Sequence, residues 1–376
     1  MRILADENIP FVREAFASLG EVRTIAGRGM TPDQLGNADM LLVRSVTRVD
    51  EALLAGSNVQ FVATATIGVD HVSTQWLTQQ GIGFASAPGS NAISAAEYVV
   101  TSLWLMAQRQ GRVLQDLRVA IIGCGNVGSR VFNRLEALGV ECLVNDPPRS
   151  ELDADYDYRQ LHECLDCDAF CVHVPLTTAG PHATLRFLDH DFFEALPEGA
   201  IFLNAARGSV VDEAALSKIL DTGKALNLVL DVWANEPNID ERLVQRVQIG
   251  TAHIAGYSLD GKVRGTELIY RAACAHLGAA PSWSPDQVLP ESWLGEMRFG
   301  PTADDDQVIQ TAMLALYDPR QDDARLRIAV QTNPGNGFDR LRREYPPRRE
   351  FNSLRVVVPA GRSALRARLD ALGFKS

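Results

Sequence analysis

Residues 118–131 read RVAIIGCGNVGSRV, and this stretch decides the fold. The apolar run 118–122 predicts a strand, and residues 127–138 predict a helix. Between them stands Gly123-Cys124-Gly125-Asn126-Val127-Gly128. Gly123 permits a tight turn out of the strand. Gly125 lets the backbone approach a pyrophosphate, and Gly128 lets the helix pack on the sheet. The helix N-terminus beyond the turn favours negative charge. Asp146 follows the next predicted strand, 141–145, eighteen residues past Gly128. A carboxylate there accepts hydrogen bonds from a ribose 2′-hydroxyl and repels a 2′-phosphate, so NAD is expected over NADP. Arg149 nearby softens that exclusion. The structural alternative is that Asp146 only starts the turn before Pro147-Pro148.

Outward from this turn the pattern repeats. Strands are predicted at 169–174, 200–204 and 227–231, with 248–250 as a further edge. On the N-terminal side, 1–4, 40–43 and 61–63 read as strands separated by amphipathic helices. Such alternation predicts βαβ units, and the fold class is α/β with two Rossmann-like, doubly wound parallel-sheet domains. A helix over 93–108, capped by Ser90 or Asn91, is apolar on nearly every face and is expected to be buried. A helix over 261–277 returns the chain to the first domain. From about residue 280 the character changes. Pro281, Pro285 and Pro290 with Trp283 and Trp293 predict an extended connection. Beyond it a helix (305–317), a strand (327–330), a Pro/Gly/Asn loop, a strand (354–358) and a helix (363–372) predict a smaller C-terminal α+β domain.

The bulk numbers limit the function classes. The chain has 376 residues, 46% hydrophobic and 22% charged, with a net charge of −11. That length and composition support two or three cored domains. The acidic balance argues against nucleic-acid binding. The sign reverses locally at Arg340, Arg342, Arg343, Arg348 and Arg349. This cluster reads either as a solvated or interface patch or as a contributor to an active site. No apolar run is long enough to cross a bilayer, and Arg2, Asp6 and Glu7 interrupt any leader-like stretch, so no membrane partner is expected. Cysteine usage points to a reduced, cytoplasmic chain. Cys164, Cys167 and Cys171 lie near His162 and His173, but their spacing matches no common zinc or iron–sulfur motif, and no metal is expected.

Four segments carry the chemistry: Asn204–Glu213 (NAARGSVVDE), Leu228–Pro237 (LVLDVWANEP), Thr251–Ser258 (TAHIAGYS) and Val172–Thr177 (VHVPLT). An Arg before Gly, a Glu before Pro and a later His followed by Gly, in this order, resemble the D-isomer-specific 2-hydroxyacid dehydrogenase family over residues 1–280. Taken singly, Arg207, Glu236 and His253 each have a structural reading: a solvated strand end, a helix-entry turn, a loop histidine. Taken together with the nucleotide turn they read as a catalytic trio. A neutral His253 suits removal of a hydroxyl proton near neutral pH. Glu236 on the other ring nitrogen would fix the tautomer and favour the imidazolium. Arg207 can hold a carboxylate with its planar fork and face the C2 oxygen. The resemblance implies NAD as cofactor, held by Gly123, Gly125, Asn126, Val127, Gly128, Asp146, Val174, Pro175, Ala205, Ala206, Arg207, Asp231 and Gly256. Asp231 is then expected near the nicotinamide.

Two further stretches, 41–54 and 61–73, place small polar residues just after predicted strands. Ser45 and Thr66 are the substrate candidates there, with backbone N–H groups of Ile67, Gly68 and Val69 facing a carboxylate. Arg44 and Arg48 are either cations for a distal anion or solvated. Tyr257, just past Gly256, is the third substrate candidate. The stretches ILADENIP, VRSVTRVD, ATATIGVDH, APGSNAISAAEYV and TAHIAGYS and the tail FDRLRREYPPRREF resemble one branch of the family, acting on a phosphorylated four-carbon hydroxy acid in vitamin B6 biosynthesis. Ala252 departs from the wider family, where Pro is common. The resemblance implies a substrate-binding domain over 1–92 completed by 257–285, an NAD-binding domain over 93–256 and a homodimer formed through 286–376. Rival readings are a phosphoglycerate, glycerate or hydroxypyruvate member of the same family, and an NAD-sensing, corepressor-like binding protein.

Overall fold

The central strands of both halves carry three or four consecutive buried residues, the pattern of parallel sheets covered on both faces. The computed structural model describes residues 1–153, 156–333 and 335–376. It divides into two units, Met1–Asn91 with Ser258–Glu291, and Ala92–Tyr257 with Ser292–Ser376.

In the first unit, β1 (Arg2–Asp6), β2 (Glu21–Ile25), β3 (Met40–Val43), β4 (Phe61–Thr64) and β5 (Gly83–Ala85) form one sheet of order β2-β1-β3-β4-β5. Every neighbouring pair is parallel. The period of two along each strand divides the core between its two faces. Ile3, Ala5, Met40, Leu42, Phe61 and Ala63 pack on one side with Ile269 and Tyr270 of the helix Leu259–Leu277. Leu4, Leu41, Val43 and Val62 pack on the other with Leu53, Leu54 and Leu77. That helix begins where the Ser258 hydroxyl accepts the Gly261 N–H at 2.8 Å and ends at Gly278, whose φ is 66°.

In the second unit, β6 (Arg118–Ile122), β7 (Glu141–Asn145), β8 (Ala169–Val172), β9 (Ile201–Asn204), β10 (Asn227–Leu230) and β11 (Ile249–Gly250) form a second all-parallel sheet. Its order is β11-β10-β9-β8-β6-β7. The helix Ala92–Arg109 is buried along nearly its whole length, as its largely apolar circumference requires. The tail adds a small parallel pair, β12 (Glu296–Arg298) with β13 (Arg355–Val357). It shares a single apolar core with the nucleotide fold. Val308, Ile309, Ala312, Met313 and Phe351 pack in one cluster with Tyr98, Val99, Leu103, Val131 and Leu135.

One expected element is wrong. The predicted strand 327–330 lies inside the helix Pro319–Thr332. Arg-Ile-Ala-Val is too short a run to distinguish a strand from one turn of a helix. The longer spacing decides it: Leu326, Ala329 and Val330 are buried, whereas Ile328 is 61% exposed. Asp318 accepts the Arg320 N–H and Pro319 occupies the first turn, a helix start. Strands β2, β5 and β12 were not anticipated. None of their residues is fully buried, and they lack the continuous apolar run of the central strands.

A buried charge cluster secures the tail. Arg348 donates to the carbonyls of Ser94 (3.0 Å) and Ala255 (2.8 Å) and lies 4.0 Å from the centroid of the Tyr317 ring. Glu97, Glu350 and Arg134 are buried with it. Glu97 accepts the Phe351 N–H at 2.8 Å, while Arg134 Nε donates to the Leu372 carbonyl. Burial, reinforced by Glu350, raises the Glu97 carboxyl well above its ordinary value. Removing one member strands the others in an apolar core. Arg348→Ala is therefore expected to cost about 3–5 kcal/mol, read as a lower urea midpoint. Arg348→Lys should recover only part, because an ammonium cannot reproduce the planar fork. An unchanged midpoint would contradict this account.

Candidate active site

Because all strands of the second sheet run in one direction, the segments that follow them emerge along one edge. These are the glycine turn after β6, Asp146 after β7, His173–Pro175 after β8, Arg207 after β9, Asp231–Glu236 after β10 and Thr251–Tyr257 after β11. The chain leaves β6 for β7 on one side and returns to β8 on the other. That reversal opens a crevice at the carboxyl edge, where ligands bind in such sheets.

The glycine turn has the space a dinucleotide needs. Gly123 has φ 88°, and a side chain there would meet Val174 Cγ1 at 2.8 Å. A Cβ on Gly128 would stand 2.0 Å from the Gly123 carbonyl oxygen. Gly125 faces open space, with nothing within 4 Å of the corresponding position, and the helix Gly128–Ala137 starts directly beyond. Asn126 and Val127 complete the turn. Asp146 has two local duties. One oxygen accepts the Cys124 N–H at 2.7 Å and the other the Arg149 N–H at 3.1 Å, capping the helix Pro147–Ser150. The turn-forming alternative is therefore present, and it braces the glycine turn. Each carboxylate oxygen retains a lone pair for a ribose hydroxyl. Beside Gly123, both ring nitrogens of His173 are buried with no hydrogen-bond partner. Burial pushes its imidazole down to about 3, so it is neutral. Open backbone, a helix N-terminus and an unsatisfied polar ring on one edge fit a bound NAD. Val174, Pro175, Ala205 and Ala206 follow strands on this same edge.

Glu236 and His253 meet. His253 Nδ1 lies 2.7 Å from Glu236 Oε2, and Glu236 Oε1 accepts the Trp233 N–H at 3.0 Å. Burial would raise the Glu236 carboxyl, but the His253 ring and the Trp233 N–H outweigh it and hold the group below its ordinary value. With Nδ1–H committed to the carboxylate, Nε2 presents its lone pair outward, and the ring remains partly exposed. The Glu236–Pro237 peptide is cis.

His253 itself has φ 56°, a left-handed conformation that a non-glycine residue adopts only when its surroundings impose it. Asp231 imposes it. Its carbonyl accepts the His253 N–H at 2.7 Å. Its buried carboxylate accepts the Ile254 N–H (2.7 Å), the Ala255 N–H (2.9 Å) and the Thr251 hydroxyl (2.6 Å). Thr251 is in turn bonded to Tyr98 at 2.9 Å.

Arg207 follows β9 in extended conformation, with Nη1 donating to the Ala206 carbonyl at 2.8 Å. The Asn204 side chain braces this corner through the Arg207 carbonyl and the Ala206 N–H. Gly208 is obligatory, since a Cβ there would lie 1.9 Å from the Trp233 carbonyl carbon. This contact sets the Arg207 corner against the Trp233–Glu236 loop. Glu213 accepts the Ala234 N–H at 2.7 Å, and burial pushes its carboxyl up to about 7. Sequence reasoning missed Trp233, Glu213 and Thr251 and the loop-forming role of Asp231. A Thr two residues before the His was a visible signal for one of them.

In the first unit, Ser45 and Thr66 stand just after β3 and β4. The Thr66 hydroxyl pairs with Thr64 (2.7 Å) and bonds the Gly68 carbonyl (3.2 Å). Arg48 pairs with Asp50 at 2.7 Å and is largely solvated, whereas Arg44 approaches the buried Asp6 at 3.7 Å. Tyr257 lies in the second unit, edge-on to Tyr345. Cys164, Cys167 and Cys171 are free and buried, and burial raises their thiols, to about 11 and about 12 for the first two.

Comparison with known proteins places this geometry. Residues 85–255 match the family described as D-isomer specific 2-hydroxyacid dehydrogenase, NAD binding domain, and residues 288–373 match a domain of unknown function. Erythronate-4-phosphate dehydrogenases of Marinobacter nauticus and Serratia proteamaculans are each 47% identical to the chain, over 100% of it and 99% of their own length. Among solved structures, NAD-bound 3-phosphoglycerate dehydrogenase of Entamoeba histolytica shares the fold. It has a TM-score of 0.64 and 24% identity, over 74% of this chain and 95% of that one. The chain belongs to the D-isomer-specific 2-hydroxyacid dehydrogenase family, among the erythronate-4-phosphate dehydrogenases.

Proposed function

We propose that this protein oxidises 4-phospho-D-erythronate at C2 with NAD, yielding (R)-3-hydroxy-2-oxo-4-phosphooxybutanoate for pyridoxal 5′-phosphate formation. The observation that carries the reaction type is the 2.7 Å His253–Glu236 pair on the same sheet edge as the nucleotide turn. The choice of acid rests on relatives that match the chain from end to end.

In this reading Arg207 holds the substrate carboxylate and faces the C2 oxygen. The lone pair of His253 Nε2 accepts the C2 hydroxyl proton as the C2 hydrogen departs with its electron pair. Glu236 stabilises the imidazolium that results. NAD, when bound, supplies the hydride acceptor. Gly123, Gly125, Asn126, Val127 and Gly128 would hold its pyrophosphate and Asp146 its ribose. Val174, Pro175, Ala205, Ala206, Asp231 and Gly256 would line the rest. Ser45, Thr66 and Tyr257 are the proposed substrate contacts. In the reverse reaction His253 returns the proton.

We assign the working form as a cytoplasmic homodimer. Six free cysteines support a reducing compartment. Trp293, 76% exposed, and Ile328 are large apolar side chains of the tail that face solvent in the single chain, and they support a subunit contact there. The tail shares its core with the nucleotide fold, so truncation would disrupt both. Trp293→Ser with Ile328→Ser is the cleaner test. Sedimentation should show a dimer turning to monomer, and a dimer that survives both changes refutes the assignment.

Side-by-side turnover of 4-phosphoerythronate and 3-phosphoglycerate tests the substrate. The former should have the higher kcat/KM, and the opposite order would overturn the reading. His253→Ala should cost about 10²–10⁴-fold in kcat. An unaltered rate in that variant would favour a binding protein over an enzyme.

Glu236→Gln tests the pair. Removing the carboxylate charge destabilises the imidazolium, so the ring sheds its proton at lower pH and is a poorer base. The acid limb of the kcat/KM profile for oxidation should move to lower pH while kcat falls. A limb that stays in place would show that Glu236 does not act through His253.

A further inference from the structure

The catalytic trio and the nucleotide turn leave one end of the proposed substrate unaccounted for. This inference rests on the substrate reading above: an acid with a carboxylate at C1 and a phosphate on C4. Arg207 accounts for the first anion. The phosphorus lies two carbons and one oxygen beyond C2, a reach of roughly 5 Å by ordinary bond lengths. A cation is needed at about that distance from the His253–Glu236 pair.

The helix Gly337–Arg343 brings a cation to the loop that carries His253. Arg342 leaves its last turn and places its guanidinium carbon 5.8 Å from the centroid of the Tyr257 ring, hydrogen-bonding the phenol. Tyr257 is four residues past His253 on the loop that Asp231 organises. The positive charge of Arg342 reaches Glu236 and Asp231. Neither carboxylate hydrogen-bonds it. Glu236 is engaged with His253 and Trp233, and Asp231 with Thr251, Ile254 and Ala255. Arg342 Nε is buried with no hydrogen-bond partner. A buried guanidinium N–H left unsatisfied is costly, so its retention beside a catalytic loop calls for a ligand. Two neighbouring arginines have other roles. Arg348 has unpartnered nitrogens too, Nε and Nη1, but its guanidinium lies over the Tyr317 ring and holds the Ser94 and Ala255 carbonyls, and Arg343 pairs with the exposed Glu344 at 3.1 Å.

We propose that Arg342, with the Tyr257 hydroxyl, forms the phosphate subsite of this enzyme and takes the C4 phosphomonoester of the substrate. A planar fork matches two phosphate oxygens, and the Tyr257 O–H can donate to a third. Arg342 is then a specificity-determining residue carried by the tail, outside the segment that matches the dehydrogenase family pattern.

The test compares 4-phosphoerythronate with erythronate, which has the same reacting carbon and no phosphate. The readout is the ratio of their kcat/KM values in the unaltered protein, Arg342→Ala and Arg342→Lys. The ratio should fall roughly 10- to 100-fold in Arg342→Ala, the loss expected for a charged hydrogen-bonding partner, mainly through the KM of the phosphorylated acid. Arg342→Lys, which keeps the charge without the fork, should fall between. A ratio unchanged in both variants would overturn the subsite, even if both rates dropped together, since a purely structural role lowers both substrates alike. If the unaltered protein fails to prefer 4-phosphoerythronate over 3-phosphoglycerate, the substrate reading falls first and this one with it. If that preference holds and the Arg342 variants keep the ratio, only the subsite falls.

Discussion

The Asp231 carboxylate is the constraint on which the catalytic edge depends. It is fully buried, and burial raises its carboxyl above the ordinary value, an effect that the donors around it partly offset. Three donors on the 251–255 loop face it, and one backbone N–H faces its carbonyl. Hydrogen bonds to a charged acceptor contribute about 1.5–3 kcal/mol each. The left-handed backbone at His253 costs on the order of 1–3 kcal/mol. The bonds outweigh the strain, so the loop holds one shape. That shape aims Nδ1 at Glu236 and leaves Nε2 for chemistry. A more relaxed backbone at residue 253 would aim the ring elsewhere, and the pair would not form.

Much of this edge was legible in the sequence because parallel sheets make it so. In a βαβ series each strand end contributes one loop to the same edge, so order along the chain becomes neighbourhood in space. Arg207, Glu236 and His253 could be read together because β9, β10 and β11 are adjacent and parallel. The glycine turn was legible for a different reason. Gly128 is required by the Gly123 carbonyl five residues away and Gly123 by Val174 at the end of the adjacent strand β8, and the turn keeps a fixed spacing. Asp146 was half legible. Its position announced the ribose reading, yet the structure also uses it to brace Cys124 and cap a helix.

What could not be read came from contacts between distant segments. The run Arg-Ile-Ala-Val at 327–330 has the local character of a strand, and only its packing against the nucleotide fold turns it into helix. Arg342 and Arg348 looked alike within a basic cluster. Their separate environments depend on Tyr257, Ser94 and Ala255, each more than 80 residues away in the chain. No local periodicity encodes that difference. The same holds for Trp233, whose N–H matters only because Gly208 lets the two loops close on each other.

These distant contacts give the tail a part in the site. Arg348 holds the Ala255 carbonyl of the loop, with its guanidinium over the Tyr317 ring. Arg342 reaches the same loop through Tyr257, with one N–H unsatisfied. The first holds two backbone carbonyls through Nη2 and stacks on the Tyr317 ring, which makes it a structural anchor even though its Nε and Nη1 have no partner. The second stands beside Tyr257 on the His253 loop, and it is there that the proposed subsite would recognise an anion. A family whose strand-end loops supply a common hydride-transfer chemistry can acquire a new acid specificity through an appended segment, provided that segment packs rigidly enough to place one guanidinium. The shared core of the tail and the nucleotide fold, with Phe351 stacked on Phe374 at 4.6 Å and Val308 through Met313 packed in the cluster of Tyr98, supplies that rigidity.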